Sequence, residues 1–366
     1  INYGRVSSRG GDGSLIAHKV VNEGILEARN GTVGLASGVE ILLRDKSVAD
    51  GKILIRAGKA GGLVDQRGTI LAAEAELRAH GGNVFALAQN GKGTIHVTGA
   101  ARSGGRLFLT ANGGKVRASQ KIRVRKKSRQ GKLSGGQVFI NADVVSLEGL
   151  IDVGGLNGGN IDVGAKTEIS LQGATLKASG EQTAGRIRLG GERAGGDSLQ
   201  ADEVMNVARL SMDDTSRIEA NAAAADGGEV ILWSEDQTQF AGAIETKGGD
   251  GYEGGFVEVS SRKDVQIKGT ADTGGGIFLI DPENITIANA PPATGSFVDI
   301  ATLTANLALG DVQIATTNTA VADNGNINVN NDVIYDSTNN LTLLATGDVR
   351  FRASVQNTNA TSVYSN

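Results

Sequence analysis

A glycine pair followed at once by a short strand-forming segment recurs along this chain and limits what the chain can fold into. The clearest copies are Gly254-Gly255 and Gly275-Gly276, 21 residues apart, which precede residues 256–259 and 277–280. Two shorter segments of the same kind lie between them. Alternation with a period of two turns one face of each segment inward and the other outward. One repeat is therefore a coil of three short strands.

A single coil of this kind cannot bury its own apolar face, so it must stack on a neighbour of the same shape. The same opening is found through most of the chain. Clear copies begin at Gly81, Gly104, Gly135, Gly158 and Gly227, and weaker ones follow Gly185 and Gly325. The sequence predicts an all-β fold, a parallel β-helix (β-solenoid) with three short strands per coil, continuous over residues 1–288.

The composition supports a narrow solenoid. The chain of 366 residues contains 54 glycines, where an average content would give roughly 26. It has 3 prolines, no cysteine and only 4% aromatic residues. Small residues suit the corners, and Val, Ile and Leu suit the interior. No stretch of 18 apolar residues is present, so the sequence predicts no transmembrane segment.

The pattern changes after residue 288. Residues 289–310 are expected to form a loop and one short helix, near 299–309, packed against the side of the solenoid. Ile300, Leu303 and Leu307 have helical spacing, Asp299 is a suitable N-cap and Gly310 a suitable stop. Strand-like segments then resume, which predicts further β-helix coils over residues 311–366.

Charge is distributed unevenly along the chain. Residues 1–132 contain 23 Lys+Arg and 9 Asp+Glu, a net charge of +14, and residues 133–366 contain 13 and 31, a net charge of −18. Unlike charges at two ends favour end-to-end association or an anionic partner at the basic end. Ordinary variation of surface charge is the alternative interpretation.

The densest charge run extends from Lys115 to Lys132 and holds nine basic residues and no acidic one. On a strand, Ile122 and Val124 would point inward. The candidate anion-binding residues lie on the opposite face and at the corner that follows: Lys121, Arg123, Arg125, Lys126, Lys127 and Arg129. Such a ridge suits arrays of sulfate, carboxylate or phosphate on glycans or lipopolysaccharide. No aromatic residue interleaves with it, which disfavours single-stranded nucleic acid; a solvated outer face is the alternative.

Nothing in the sequence predicts an enzyme, a cofactor or a metal site. His18, His80 and His96 are far apart and have no carboxylates at matching coil spacing. The only tryptophan, Trp233, follows a strand-forming segment. It is expected to cover a groove or a coil edge, with a sugar platform as the alternative.

The segments GGFVEVSS, VQIKGTADT and GGIFLIDPENITI together resemble the shaft of the filamentous-haemagglutinin family, large exoproteins of two-partner secretion. The opening GGDGSLIAHKVVNEGILEARNGTVGLASG is similar to the stretch that ends the secretion domain of that family, which would place residues 1–60 there. The resemblance implies a right-handed β-helix, export through an outer-membrane pore and a secreted or cell-surface location. It also implies further sequence before Ile1 and after Asn366.

The function expected from these observations is that of a structural or adhesive shaft, a stiff spacer that projects or links binding regions. Two alternatives remain open at this stage. The first is a binding module for anionic polymers through the basic run 115–132. The second is a rod subunit that assembles end to end into filaments.

Overall fold

A computed structural model of the chain describes residues 1–38, 40–42, 54–56, 61–88, 93–100, 104–196, 204–316 and 325–360. The chain forms two compact units, Ile1–Gly180 and Glu181–Asn366. Each unit is a parallel β-helix, which confirms the predicted fold class. Parts of the segment 1–60, predicted to end a secretion domain, lie outside the described residues.

The first unit is built from strands of 3 to 13 residues, with no α-helix in its described part. In chain order the strands are β1 (Arg5–Ser7), β2 (Gly13–Ala17), β3 (Lys19–Asn22), β4 (Ile25–Ser37), β5 (Glu40–Leu42), β6 (Leu54–Arg56), β7 (Leu63–Gln66), β8 (Thr69–His80), β9 (Asn83–Ala86), β10 (Thr94–Ala100), β11 (Arg106–Ala118), β12 (Lys121–Lys127), β13 (Leu133–Gly135), β14 (Gln137–Leu147), β15 (Leu150–Asp152), β16 (Gly155–Asn157), β17 (Asn160–Leu171) and β18 (Thr175–Lys177).

Three parallel ladders run through the first unit, because each coil contributes one segment to each ladder. The first ladder contains β1, the start of β4, the start of β8, β10, β12, β15 and β18. The second contains β2 and the neighbouring halves of β4, β8, β11, β14 and β17. The third contains β3, β7, β9 and the ends of β11, β14 and β17.

The corners of the first unit are less separate than the sequence predicts. Several strands continue through a corner and so belong to two ladders, and their register shifts there, as between Ala111 and Lys115 of β11. Extra residues at such bulges bend the strand without ending it. Antiparallel pairs also occur, β5 with β6 and the end of β12 with β13.

The second unit contains strands of 3 to 6 residues, a single 3₁₀ turn at Arg193–Gly195 and one α-helix, α1 (Ile300–Leu307), in its described part. The strands are β19 (Gly180–Thr183), β20 (Arg186–Leu189), β21 (Arg209–Met212), β22 (Arg217–Glu219), β23 (Glu229–Ser234), β24 (Gln237–Phe240), β25 (Ala243–Glu245), β26 (Phe256–Ser261), β27 (Asp264–Ile267), β28 (Thr270–Asp272), β29 (Ile277–Asp281), β30 (Ile285–Ala288), β31 (Phe297–Asp299), β32 (Asp311–Thr316), β33 (Ile327–Val329), β34 (Val333–Tyr335), β35 (Leu341–Ala345), β36 (Val349–Phe351) and β37 (Val355–Asn357).

The coils of the second unit have three separate strands, as predicted. Strands β20, β23, β26, β29, β32 and β35 form its first ladder. Phe256 of β26 pairs with Ile277 of β29, so the 21-residue repeat seen in the sequence is one turn of the helix. The second ladder includes β21, β24 and β27, and the third begins with β22, β25 and β28.

Helix α1 begins and ends where the sequence predicts. Asp299 is its N-cap and accepts a hydrogen bond from the backbone N–H of Thr302 at 2.9 Å. Strand β31, just before the helix, pairs with both β27 and β30, so the chain re-enters the second ladder before the helix starts.

The helix lies within the stack, in place of a strand of the third ladder, and not against the side of the solenoid. Asn306 Oδ1 accepts from the backbone N–H of Ala271 in β28 at 2.7 Å, and its amide nitrogen donates to the Gly269 carbonyl at 3.2 Å. On the other side, the carbonyl of Leu307 accepts from the Ser337 hydroxyl at 2.7 Å, just after β34. The side chain of Asn306 thus satisfies backbone groups that a neighbouring strand would otherwise bond.

Inward side chains of successive coils stack to form the core of each unit. In the first unit Leu107, Ile122 and Val138 are fully buried. In the second unit the rings of Phe240 and Phe278 meet edge to face, with centroids 6.3 Å apart. Burial of each large apolar side chain contributes about 1.5–3 kcal/mol, so the inner face is the main source of stability.

Candidate functional site

The basic residues predicted to bind anions lie on or next to β12, in the first ladder of the first unit. Ile122 and Val124 are 0% exposed and point into the core, as predicted. Lys121, Arg123 and Lys127 are exposed on the outer face of the strand. Their placement follows directly from strand alternation.

The turn after β12 lies further along the chain than the corner that the sequence predicts. Lys126 and Lys127 are still part of β12, whose end pairs antiparallel with β13. Only Arg129 lies in the connecting turn, where Ser128 N–H donates to the Lys132 carbonyl at 2.8 Å. The basic residues therefore continue past the coil onto a short hairpin.

Two of the predicted residues are tied to an acidic neighbour in the next coil. Arg125 Nη2 lies 2.7 Å from Asp152 Oδ2, and its Nη1 donates to the Asp152 carbonyl at 2.5 Å. Arg123 Nε is 3.5 Å from the same carboxylate. Burial acts to raise the pKa of Asp152, but hydrogen bonds from Arg125 and from the Gly154 N–H, with the charges of both arginines, hold that pKa below its usual value.

The other four predicted residues have no such partner. Within the described ranges, no carboxylate lies within ion-pair distance of Lys121, Lys126, Lys127 or Arg129. Basic residues on the other ladders of the same unit behave differently. Arg117 Nε, for example, lies 2.7 Å from Glu148 Oε1, and Arg106 Nη2 lies 2.8 Å from Glu74 Oε2. The uncompensated positive charge is therefore concentrated on β12 and its hairpin.

A groove of about 490 Å³ borders the outer face of β12. Its floor is made by small and apolar residues of β8 and the end of β10, and Arg29 and Lys127 stand at its rim. His96 of β10 lines it and is in register with Arg123 of the next strand. The groove thus combines an apolar floor with cationic walls, which suits a ring that carries acidic groups.

The histidine in this groove is held in its neutral form. Burial lowers the pKa of the His96 imidazole, and the positive charges of Arg123, Arg125 and Arg29 lower it further. An anion in the groove would offset those charges and favour the imidazolium.

Arg29 and His96 belong to this surface, although the sequence analysis did not select them. His96 stands 27 residues before Arg123, one coil away, and this spacing is the signal that identifies it. Arg29 lies further along the chain, beyond the break between Ser37 and Leu63, so no regular spacing connects it with the basic run.

Other kinds of site were searched for in the described residues. No group of three or more His, Asp or Glu residues there could hold a metal ion. His18, His80 and His96 belong to or follow different ladder segments, at the ends of β2 and β8 and within β10. The single helix of the described chain is too short to cross a membrane.

No protein-family model matches this chain, and no curated protein is significantly similar to it in sequence.

Proposed function

We propose that this chain is part of the structural or adhesive shaft of a large secreted or cell-surface bacterial exoprotein, of the kind that the filamentous-haemagglutinin resemblance implies. The observation that carries the proposal is the set of parallel ladders in each unit. Their backbone hydrogen bonds join every coil to the next, so a pull along a unit is shared among three strands per step. Such a stack acts as a stiff spacer between regions that bind.

The proposal also includes the route of export. A stack of coils can form progressively, because each coil needs only its neighbour as a template. Export through an outer-membrane pore, followed by folding coil by coil, would place the chain on the cell surface. Proteinase treatment of intact Gram-negative cells that produce the protein should remove it, and complete protection of the chain in intact cells would contradict this location.

Stiffness can be measured with spin labels, since the chain has no cysteine of its own. The variant with Ser7→Cys and Gln356→Cys carries one label in each unit. A stiff spacer gives a single narrow distance distribution for this pair, whereas a distribution several times broader than the control would exclude a spacer role for the chain as a whole.

The matched control carries Ser7→Cys and Lys177→Cys. These residues belong to one column of the first ladder, six strand steps apart. At about 4.8 Å per step, the labelled backbone positions are about 30 Å apart. The width measured for this pair defines what a single stack of coils gives.

The uncompensated charge on β12 favours a second candidate function, binding of an anionic polymer such as an acidic glycan or lipopolysaccharide. Lys126, Lys127 and Arg129 are the residues to change, because none is paired with a described carboxylate. Arg125 is unsuitable for this test, since it holds Asp152 and its loss would disturb the fold. The triple variant to serine should elute from a heparin column at clearly lower salt.

A control with the same change in charge separates a specific surface from net charge. Lys115→Ser, Arg117→Ser and Lys166→Ser remove three exposed positive charges from β11 and β17, away from the outer face of β12. Their retention should stay close to that of the unchanged chain. Equal loss in both variants would mean that only net charge matters and would reject this candidate function.

A further inference from the structure

The outer face of the first ladder in the second unit is covered by the chain that follows β20. In this ladder the outward positions of β20, β23 and β26 are Arg188, Ile231 and Glu258, which are only 6%, 1% and 0% exposed. The covering segment is residues 190–196, here called the strap. It turns a surface that would ordinarily face water into a second, polar interior.

Trp233 is packed directly beneath the strap and is 1% exposed. Gly195 has a positive φ of 82°, and a Cβ there would lie 2.6 Å from Trp233 Cζ2. At Gly191 a Cβ would lie 2.9 Å from Cε3 of the same ring. Only glycine allows the strap backbone to approach the indole this closely.

The strap is attached to β26 by a backbone hydrogen bond to a buried carboxylate. Ala194 N–H donates to Glu258 Oε1 at 3.0 Å. Ala194 has a φ of 53° and is the only non-glycine residue with positive φ in the described chain. This left-handed conformation is disfavoured for alanine, so contacts such as the hydrogen bond to Glu258 must hold it. The Arg193 guanidinium lies 3.6 Å above the centre of the Phe256 ring and adds a second attachment.

Glu258 is incompletely bonded beneath the strap. Its Oε2 atom has no hydrogen-bond partner among the described residues, and neither has the indole nitrogen of Trp233. An ionised carboxylate with one unbonded oxygen is costly to keep away from water. A protonated Glu258 avoids most of this cost, because its Oε1 still accepts from Ala194.

Three strands and the strap contribute charged groups around this site. Arg193 lies on the strap, Asp281 at the end of β29, and Arg188 of β20 forms an ion pair with Glu192. Burial raises the pKa of Glu258 to about 7; the Ala194 N–H and the nearby Ser260 hydroxyl oppose this rise, the charge of Asp281 adds to it and that of Arg193 opposes it.

We propose that the strap is a proton-controlled cover, which lies closed over Trp233 while Glu258 carries a proton and is released more readily once Glu258 ionises. The closed form binds the extra proton, since opening returns Glu258 to water, where its pKa is near 4.5. Closure is therefore most stable below pH 4.5, and this stability is lost as the pH rises to about 7. The surface that opening uncovers contains Ile231 and Trp233.

Hydrogen exchange of the Ala194 amide measures this opening even when the open form is rare. From the two pKa values, the ratio of closed to open forms should fall roughly 70-fold between pH 5 and pH 8. The protection factor of the Ala194 amide, corrected for the intrinsic effect of pH, should fall by the same factor. The amide of Val257, which lies in the ladder itself, should keep its protection.

Two variants complete the test. Glu258→Gln keeps the acceptor oxygen but cannot ionise, so the protection of the Ala194 amide should become the same at both pH values. Glu229→Gln removes a carboxylate at the start of β23, outside the strap contacts, and should keep the fall. Unchanged protection at Ala194 in the original chain, an equal fall at Val257, or a fall that persists in Glu258→Gln would each overturn the proposal.

Discussion

The outer faces of the two first ladders have the same strand geometry but different surroundings. In the first unit the outward positions include His96 and Arg123, which line or border an open groove. In the second unit Ile231 and Glu258 occupy outward positions and are buried under the strap. The inner positions are apolar in both units. Stacking therefore fixes the inner face, whereas the rest of the chain decides what the outer face becomes.

The difference has an electrostatic consequence. Charged groups on the open face remain hydrated, so Lys121 and Lys127 need no partner there. Under the strap, charged groups are removed from water and must pair or change their protonation state. Arg188 pairs with Glu192, and the pKa of Glu258 rises to about 7. The same ladder can thus carry a cationic surface or a buried acid.

The largest expected effect comes from removing the side chain that the strap covers. Trp233→Ala leaves a cavity under the strap and should lower the free energy of unfolding of the second unit by about 3–5 kcal/mol. Arg123→Ala, on the open face, should change that of the first unit by only about 0.5 kcal/mol or less. Urea unfolding followed by circular dichroism measures both. Similar losses in the two variants would show that the faces do not differ.

The next effect separates the two faces by pH. The pKa of Glu258 is raised from 4.5 to about 7, so its burial costs stability that is lost as the pH rises through that range. Between pH 4.5 and pH 8 the free energy of unfolding should fall by about 2–3 kcal/mol more in the original chain than in Glu258→Gln. Chemical unfolding at a series of pH values tests this; parallel curves for the two proteins would contradict it.

The sequence predicts the inner face well and the outer face poorly. Alternation alone places Ile122 and Val124 inside, and spacing with an N-cap places the helix at 300–307. Both patterns depend only on neighbouring residues. Trp233 and Glu258 occupy outward positions, and only the later course of the chain buries them. Cover by a strap leaves no periodic signal in the sequence.

A similar limit applies to the basic run, whose residues look alike in the sequence. The structure separates Arg125, which is bonded to Asp152, from Lys127, which is free of carboxylate partners in the described chain. The separation depends on which coil stacks next to β12. No property of the run itself encodes that neighbour.

A third prediction tests this separation within one strand. Arg125→Ala leaves Asp152, whose side chain is only 14% exposed, without its main partner and should lower the free energy of unfolding by about 1–2 kcal/mol. Lys127→Ala should change it by about 0.5 kcal/mol or less. Because the pKa of Asp152 is lowered, the loss in Arg125→Ala should be present at pH 7 and shrink as the pH falls below 3.8. Equal stability of the two variants at pH 7 would contradict a structural role for Arg125.

The smallest effect concerns an ion pair on an open face of the same unit. Arg117 and Glu148 form two hydrogen bonds, at 2.7 and 2.8 Å, but the arginine side chain is 54% exposed. Water and salt screen such a pair, so Arg117→Ala should lower the free energy of unfolding by about 0.5 kcal/mol or less, and by less still in 1 M salt. Arg125→Ala should keep most of its larger loss in the same salt, since Asp152 is shielded from solvent. A loss that salt removes equally in both variants would mean that burial beside the neighbouring coil does not distinguish the two arginines.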